Sequence, residues 1–226
     1  MELKDKVIVV TGALGTLGRA VSSAAVATGA TTICVDCVDG EPAAGVEATP
    51  ALDLGDAAAT EAAFAAIAKQ YGRIDGLVNV AGGFAWETVD DGSIDTWDRL
   101  YQMNVRTAVN ASKAALAHIP ASGGRIVSIG AAGAVKADMG LGAYAASKSG
   151  VARFTEALAE EVKSRNITVN AVLPSIIDTQ PNRNDMPDAD FSAWVSPQAL
   201  ADVILFLLSS QAEAVTGALI PVTGRV

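Results

Sequence analysis

Tyr144 and Lys148 stand four residues apart in the run AYAASKSG at 143–150. In a helix both side chains leave the same face one turn apart, because residues i and i+4 stack. A phenol beside a cation can exchange a proton near neutrality, since the positive charge favours the phenolate and lowers a pKa that is ordinarily about 10. The pair is therefore a candidate general acid or base. Chance gives the same spacing on solvated helix faces, so the pair acquires meaning only from what surrounds it.

A second chemical element lies near the amino end. Residues 6–11 are a short β-branched run that passes into Gly12, Gly15 and Gly18 and then into an Ala-rich stretch over 19–27. Strand, glycine turn and helix in that order is the setting of a dinucleotide-binding fingerprint. Its turn, with Leu14, Thr16 and Leu17 between the glycines, has to let amides at the helix start approach a diphosphate. A plain Gly-rich connection is the competing reading. Asp36 ends the next apolar run, 18 residues after Gly18; a carboxylate there accepts from ribose hydroxyls and repels a 2'-phosphate. No Arg or Lys occurs between Asp36 and Lys69, so the expected cofactor is NAD(H) in preference to NADP(H).

The remaining elements must position these two groups. Residues 37–49 lack periodicity and read as a connection, followed by a short strand at 48–54. Asp53 at its end either meets an adenine amino group or caps the helix expected over 56–71. A strand at 74–80 leads into Ala81, Gly82 and Gly83, where missing side chains would let a flat ring approach the backbone. One long helix is expected from 93 or 94 to 118. It carries Asn104, a polar residue that serves either as a helix-bend device or as a link in a proton relay. Strands at 124–129, 167–172 and 218–222, and helices from the Tyr144 region to about 164 and over 196–209, complete the alternation. Between Pro174 and the last helix, 175–195 is polar and without period, which predicts a lid over a site. Strands alternating with helices throughout predict α/β architecture: one doubly wound parallel sheet of about seven strands with helices on both faces, in a single domain over 1–226.

Composition narrows the function classes. Half of the 226 residues are hydrophobic and mean hydropathy is +0.34, which supplies one large core and argues against disorder. A net charge of -9 repels nucleic-acid backbones and anionic lipid, so neither nucleic acid nor membrane is an expected partner. The amino end lacks a secretory pattern and no apolar run reaches membrane-spanning length, so a soluble cytoplasmic protein is expected. Cys34 and Cys37 form C-x-x-C on a strand and not at a helix start, and zinc would need two more ligands where the only His is His118. Inert packed thiols and no metal are expected. His118 precedes Pro120 at a helix end, where a cation suits the helix dipole.

Taken together, Thr11 and Gly12, NVAG at 79–82, Asn104, YAASK at 144–148 and NAVLP at 170–174 resemble the short-chain dehydrogenase/reductase family over essentially the whole chain. The resemblance implies a Rossmann-type fold, a nicotinamide cofactor, hydride transfer to or from a small molecule, and a homodimer or homotetramer. It implies Tyr144 as proton donor or acceptor, Lys148 on the nicotinamide ribose, a water held by Asn104, and Pro174 and Thr179 near the cofactor. Two positions depart from the family pattern. Thr16 replaces the middle glycine of TGxxxGxG, and Ala131 stands where the family carries a catalytic Ser. Both departures, together with Phe84 after the glycine pair and MPDADFSAW at 186–194, are similar to the quinoid dihydropteridine reductase branch. That branch implies NADH reduction of a planar pterin under Phe84, Trp86, Met186 and Trp194, with Ala131 in the substrate wall. A carbonyl reductase or alcohol dehydrogenase, and a cofactor-sensing binding protein without chemistry, are the other readings.

Overall fold

The computed structural model describes residues 2–226. Its seven strands are β1 (Val7–Thr11), β2 (Thr31–Val35), β3 (Glu47–Ala48), β4 (Gly76–Asn79), β5 (Gly124–Ile129), β6 (Ile167–Pro174) and β7 (Leu219–Val222). They form one sheet in the order β3-β2-β1-β4-β5-β6-β7, and every pairing is parallel. The chain therefore runs outward from β1 on one side and then returns to β4 and runs outward on the other. The reversal between β1 and β4 opens a crevice at the strands' carboxyl ends, where open α/β sheets bind ligands.

Burial on both faces explains why the strands are near-continuous apolar runs. In β1 the alternation splits the residues: Ile8 and Val10 enter the core under α1 (Thr16–Ala27) and α7 (Pro197–Leu208). Val7 and Val9 enter the core under α2 (Ala57–Tyr71), α4 (Thr107–Leu116) and α5 (Gly142–Val162). Phe64, fully buried, anchors α2. Below the sheet, the buried carboxylate of Asp75 accepts from the Val7 amide at 3.0 Å and pairs with Lys6 and Arg73, fixing the start of β1 against β4.

Three expected elements differ. The strand expected at 48–54 is the two-residue β3; Pro50 has no N-H for a ladder, and beyond β3 the amides of Thr49 and Leu52 still reach the carbonyls of Cys34 on β2 and of Asp36 just after it. The helix expected over 93–118 is α3 (Ile94–Tyr101), a π-turn (Gln102–Arg106) and α4. The segment 175–195 is not irregular throughout. It contains α6 (Gln180–Asp185), capped by Thr179, a 3-10 turn (Phe191–Ala193) and a bridge from Ile177 to Val195.

Candidate active site

The crevice holds two adjoining cavities of about 500 and 720 Å³. The first is built by backbone. Gly12 has φ +60°, and a Cβ on it would sit 2.8 Å from Ala81, so the β1 and β4 turns touch through this position. A Cβ on Gly18 would lie 2.2 Å from the Gly12 carbonyl oxygen; the start of α1 can lie against the turn only without one. Gly15 precedes α1 without a side-chain cap, which leaves the amides of Thr16, Leu17 and Gly18 without intrahelical acceptors. Such an end suits a diphosphate. Asp36 stands at the end of β2 on the same cavity wall, its Oδ2 accepting from the Leu14 amide at 2.9 Å and its Oδ1 from the Cys37 amide at 2.8 Å. Each carboxylate oxygen keeps a lone pair for a ribose hydroxyl. This glycine cradle, open helix end and carboxylate fit a dinucleotide.

Gly12, Gly15, Thr16, Leu17, Gly18, Asp36, Asp53, Ala81, Gly82 and Thr179 all line this first cavity. Leu14 does not; its part is the amide bond to Asp36. Asp53 is not the cap of α2, which is Asp56, and instead closes its own turn by accepting from the Gly55 amide at 2.8 Å. Cys34 is buried, but Cys37 is exposed and lines the cavity, against the expectation of two packed thiols. Burial and the neighbouring Asp36 raise both thiol pKa values, which keeps them protonated.

The second cavity holds the Tyr144 and Lys148 pair. Tyr144, Lys148, Pro174, Ala131, Phe84, Trp86 and Met186 line it. The Tyr144 ring meets the Phe84 ring edge-on, centroids 4.9 Å apart, and the Lys148 ammonium lies 6.0 Å from the Tyr144 ring centre. Lys148 is buried and donates to the Ile129 carbonyl at 2.8 Å. Burial pushes Lys148 down to about 8 and Tyr144 up to about 12. The sequence spacing predicts the opposite shift for the phenol. Desolvation outweighs the lysine charge because the ammonium bonds a backbone carbonyl and stands off the ring. Tyr144 is thus protonated throughout the neutral range and equipped to donate.

Ala131 places a methyl where the family carries a hydroxyl. Neither nearby Ser replaces it: Ser128 lies in the sheet interior and accepts from Asn79 at 3.2 Å, while Ser175, on the cavity wall, donates to the Thr223 carbonyl at 2.8 Å.

Besides Leu14, three expected site residues line neither cavity: Trp194, Asn104 and Gly83. Trp194 is buried, with its ring 4.8 Å from Phe191, whose other side meets Arg183. The MPDADFSAW run turns its last aromatic inward, where it packs against Phe191. Asn104 is 2% exposed and lies behind the cavity walls, its Oδ1 accepting from the Gly83 amide at 2.8 Å. Its amide nitrogen donates to the Gly83 carbonyl and to Ser147. Gly83, expected to face the ring, is the partner of this clasp and lines neither cavity. Sequence reasoning passed over Ser147, Met103 and Thr107. Ser147 was findable from its place three residues after Tyr144, on the same helix face; the other two, in and just after the π-turn, line the first cavity.

Among the described residues no group of three side chains is arranged to hold a metal, and no helix is long and apolar enough to cross a membrane. Residues 6–190 match the family model of the short chain dehydrogenases. The 3-oxoacyl-acyl-carrier-protein reductase FabG of Vibrio harveyi is 32% identical, over 99% of this chain and 98% of its own. The meso-2,3-butanediol dehydrogenase of Serratia marcescens is 31% identical, over 99% and 95%. The solved structure of carveol dehydrogenase from Mycobacterium avium in complex with NAD has a TM-score of 0.88 at 25% identity, covering 99% of this chain and 98% of that one.

Proposed function

The chain belongs to the short-chain dehydrogenase/reductase family, and from that premise we propose that it is an NADH-dependent reductase of a planar conjugated acceptor of the quinonoid dihydropteridine type. The observation that carries this reading is the Ala131 methyl on the substrate wall, with Ser128 and Ser175 both committed elsewhere. A ketone oxygen gathers charge as it is reduced, and losing one donor to such an oxygen costs on the order of 10²-fold or more. A conjugated ring spreads the incoming electron pair and needs only a proton at one ring nitrogen. Phe84 and Trp86, each more than half exposed on the cavity wall, supply flat apolar surface for such a ring.

The first cavity would hold the dinucleotide, with the amides of Thr16, Leu17 and Gly18 at the diphosphate, Asp36 at the adenosine ribose, and Ala81 and Gly82 along its nicotinamide half. Pro174 and Thr179 would close over it. When bound, the nicotinamide supplies the hydride. Tyr144 holds the proton on its phenol oxygen and delivers it to the acceptor, so that the ring gains one hydride and one proton. Lys148, mostly charged below about pH 8, stabilises the phenolate left behind and holds the ribose. Phe84 and the lid from Ser175 to Met186 exclude water.

The named relatives point to an oxoacyl, a diol and a carveol substrate, so the pteridine reading rests on this chain's own residues. Their names favour a second reading, a carbonyl reductase or alcohol dehydrogenase in which Tyr144 alone holds the substrate oxygen. One assay separates the two. Purified protein with NADH and freshly generated quinonoid dihydropterin should consume NADH faster than the uncatalysed control; no difference there, with turnover on a panel of ketones and alcohols, decides for the second.

The same reading includes a cytoplasmic homodimer or homotetramer. Ile94 and Tyr101, 74% and 55% exposed on one face of α3, give an apolar surface for it.

A further inference from the structure

Between the two cavities a buried hydrogen-bonded chain ties three elements together. The Gly83 N-H donates to Asn104 Oδ1 at 2.8 Å, and Asn104 Nδ2 donates back to the Gly83 carbonyl at 3.0 Å. The same Nδ2 donates to Ser147 Oγ at 2.9 Å, and Ser147 Oγ donates to the Tyr144 carbonyl at 2.7 Å. Asn104 and Ser147 are 2% and 4% exposed. The chain thus joins the end of β4, the π-turn and the helix that bears the proton donor. Neither side chain lines a cavity, so neither touches the reacting atoms.

Hydrogen-bond polarity gives the chain a direction. A hydroxyl has one proton, and Ser147 gives it to the Tyr144 carbonyl. What it offers Asn104 is a lone pair, which only the amide nitrogen can approach. A flipped amide would set Oδ1 against that lone pair and against the Gly83 carbonyl, and Nδ2 against the Gly83 N-H, losing all three buried hydrogen bonds. Ser147 therefore favours the same amide orientation that matches both backbone groups of Gly83, and holds Asn104 in it from the side of the Tyr144 helix. The fit is close: a Cβ on the adjacent Gly82 would lie 2.5 Å from Asn104 Oδ1. π-turns of this kind recur at functional sites, and Asn104 sits in this one.

We propose that Ser147 is a positioning residue which, through Asn104, holds Gly83, and with it the adjoining Gly82 wall of the cofactor cavity, in place relative to Tyr144. The inference rests on the oxidoreductase reading for its catalytic consequence, whereas the linkage itself is independent of substrate. In Ser147→Ala the amide of Asn104 loses one of its three bonds, the one that ties it to the Tyr144 helix. The Gly83 amide should then exchange its hydrogen at least about 10-fold faster than in the wild type, as local opening becomes easier. With an accepted substrate kcat should fall about 10-fold, because small displacements of a reacting pair are costly. NADH affinity should change less than about 3-fold, since the diphosphate and ribose contacts lie elsewhere. Ser147→Thr, which keeps the hydroxyl, should restore both the exchange rate and kcat.

Wild-type exchange at Gly83 in Ser147→Ala overturns the proposal. So does a Ser147→Thr protein as impaired as the Ala variant, which would make the effect one of packing. Should Ser147→Ala not fold, Ser147→Cys preserves the volume with a poor hydrogen-bonding group and is read against Thr in the same way. The exchange measurement needs no acceptor. A protein that turns over nothing would contradict the proposed function and still leave the Gly83 result to decide the linkage.

Discussion

The two cavities are built by different means. The first cavity, proposed for the cofactor, is mostly backbone and small residues on a sheet whose register is fixed by cores on both faces, and a single Cβ on Gly12 or Gly18 would collide with main chain. The second, proposed for the substrate, is mostly long side chains on three loops, among them Phe84, Trp86 and Met186. Rigid backbone recognition leaves little room for change. A wall of loop side chains can accept new substrates without disturbing the sheet. The pair Tyr144 and Lys148 sits where the two meet, in a helix that belongs to the rigid part.

The sharpest way to break that division is at the meeting point. Tyr144→Phe removes only the hydroxyl, and turnover should fall by about 10³-fold or more, the upper part of what a positioned proton donor contributes. NADH binding should be retained, as read by its fluorescence on titration. Retained turnover would instead move the proton chemistry off the phenol. If the wild type also turns over nothing, a cofactor-sensing protein becomes the correct description.

A smaller effect tests the cofactor side alone. Asp36→Asn keeps an oxygen for the Leu14 amide and removes the charge that would repel a 2'-phosphate. NADH should bind about 10-fold more weakly and NADPH more tightly, compressing the preference between them. A wild-type protein that binds both equally would remove the role given to Asp36.

A different kind of effect, on stability, concerns Lys148. Its folded pKa of about 8 lies below the ordinary 10.5. Below about pH 8 both the folded and the unfolded lysine are charged, and the folded state carries the whole cost of burial. Between about 8 and 10.5 the folded state has lost its proton and the unfolded state retains it. Unfolding then takes up a proton, and this contribution to stability rises with pH. The full gap corresponds to on the order of 3 kcal/mol. Lys148→Met, of similar shape and uncharged, should therefore be more stable than wild type at pH 7 by a few degrees in Tm, with the advantage shrinking towards pH 10, while turnover falls. A variant that loses stability at pH 7 would show that the ammonium's bond to Ile129 outweighs its desolvation.

Legibility in the sequence follows the same division. The sheet, its alternation with helices, the glycine turn and Asp36 are local patterns set by backbone sterics, so they can be read from residue order. Asn104 was legible as a polar residue needing partners, and both roles considered for it involve its neighbours. Its buried clasp on Gly83 was not legible, because the π-turn depends on packing between α3, α4 and α5. Trp194 fails for a related reason. An aromatic in a polar lid satisfies a ligand and a neighbouring aromatic equally well, and only the fold shows that Phe191 claims it. The phenol pKa went the other way from expectation because burial depth is a tertiary property that a Tyr-to-Lys spacing does not carry.

The most direct measurement of the central claim, that this site works without a hydroxyl at 131, is the ratio of turnover with quinonoid dihydropterin to turnover with simple ketones in wild type and in Ala131→Ser. The account predicts that wild type favours the pterin. In the variant, pterin turnover should stay within about 2-fold while ketone turnover rises by about 10-fold or more, as a second donor reaches the oxygen. A wild type that already prefers ketones, or a serine that raises both activities alike, would contradict it.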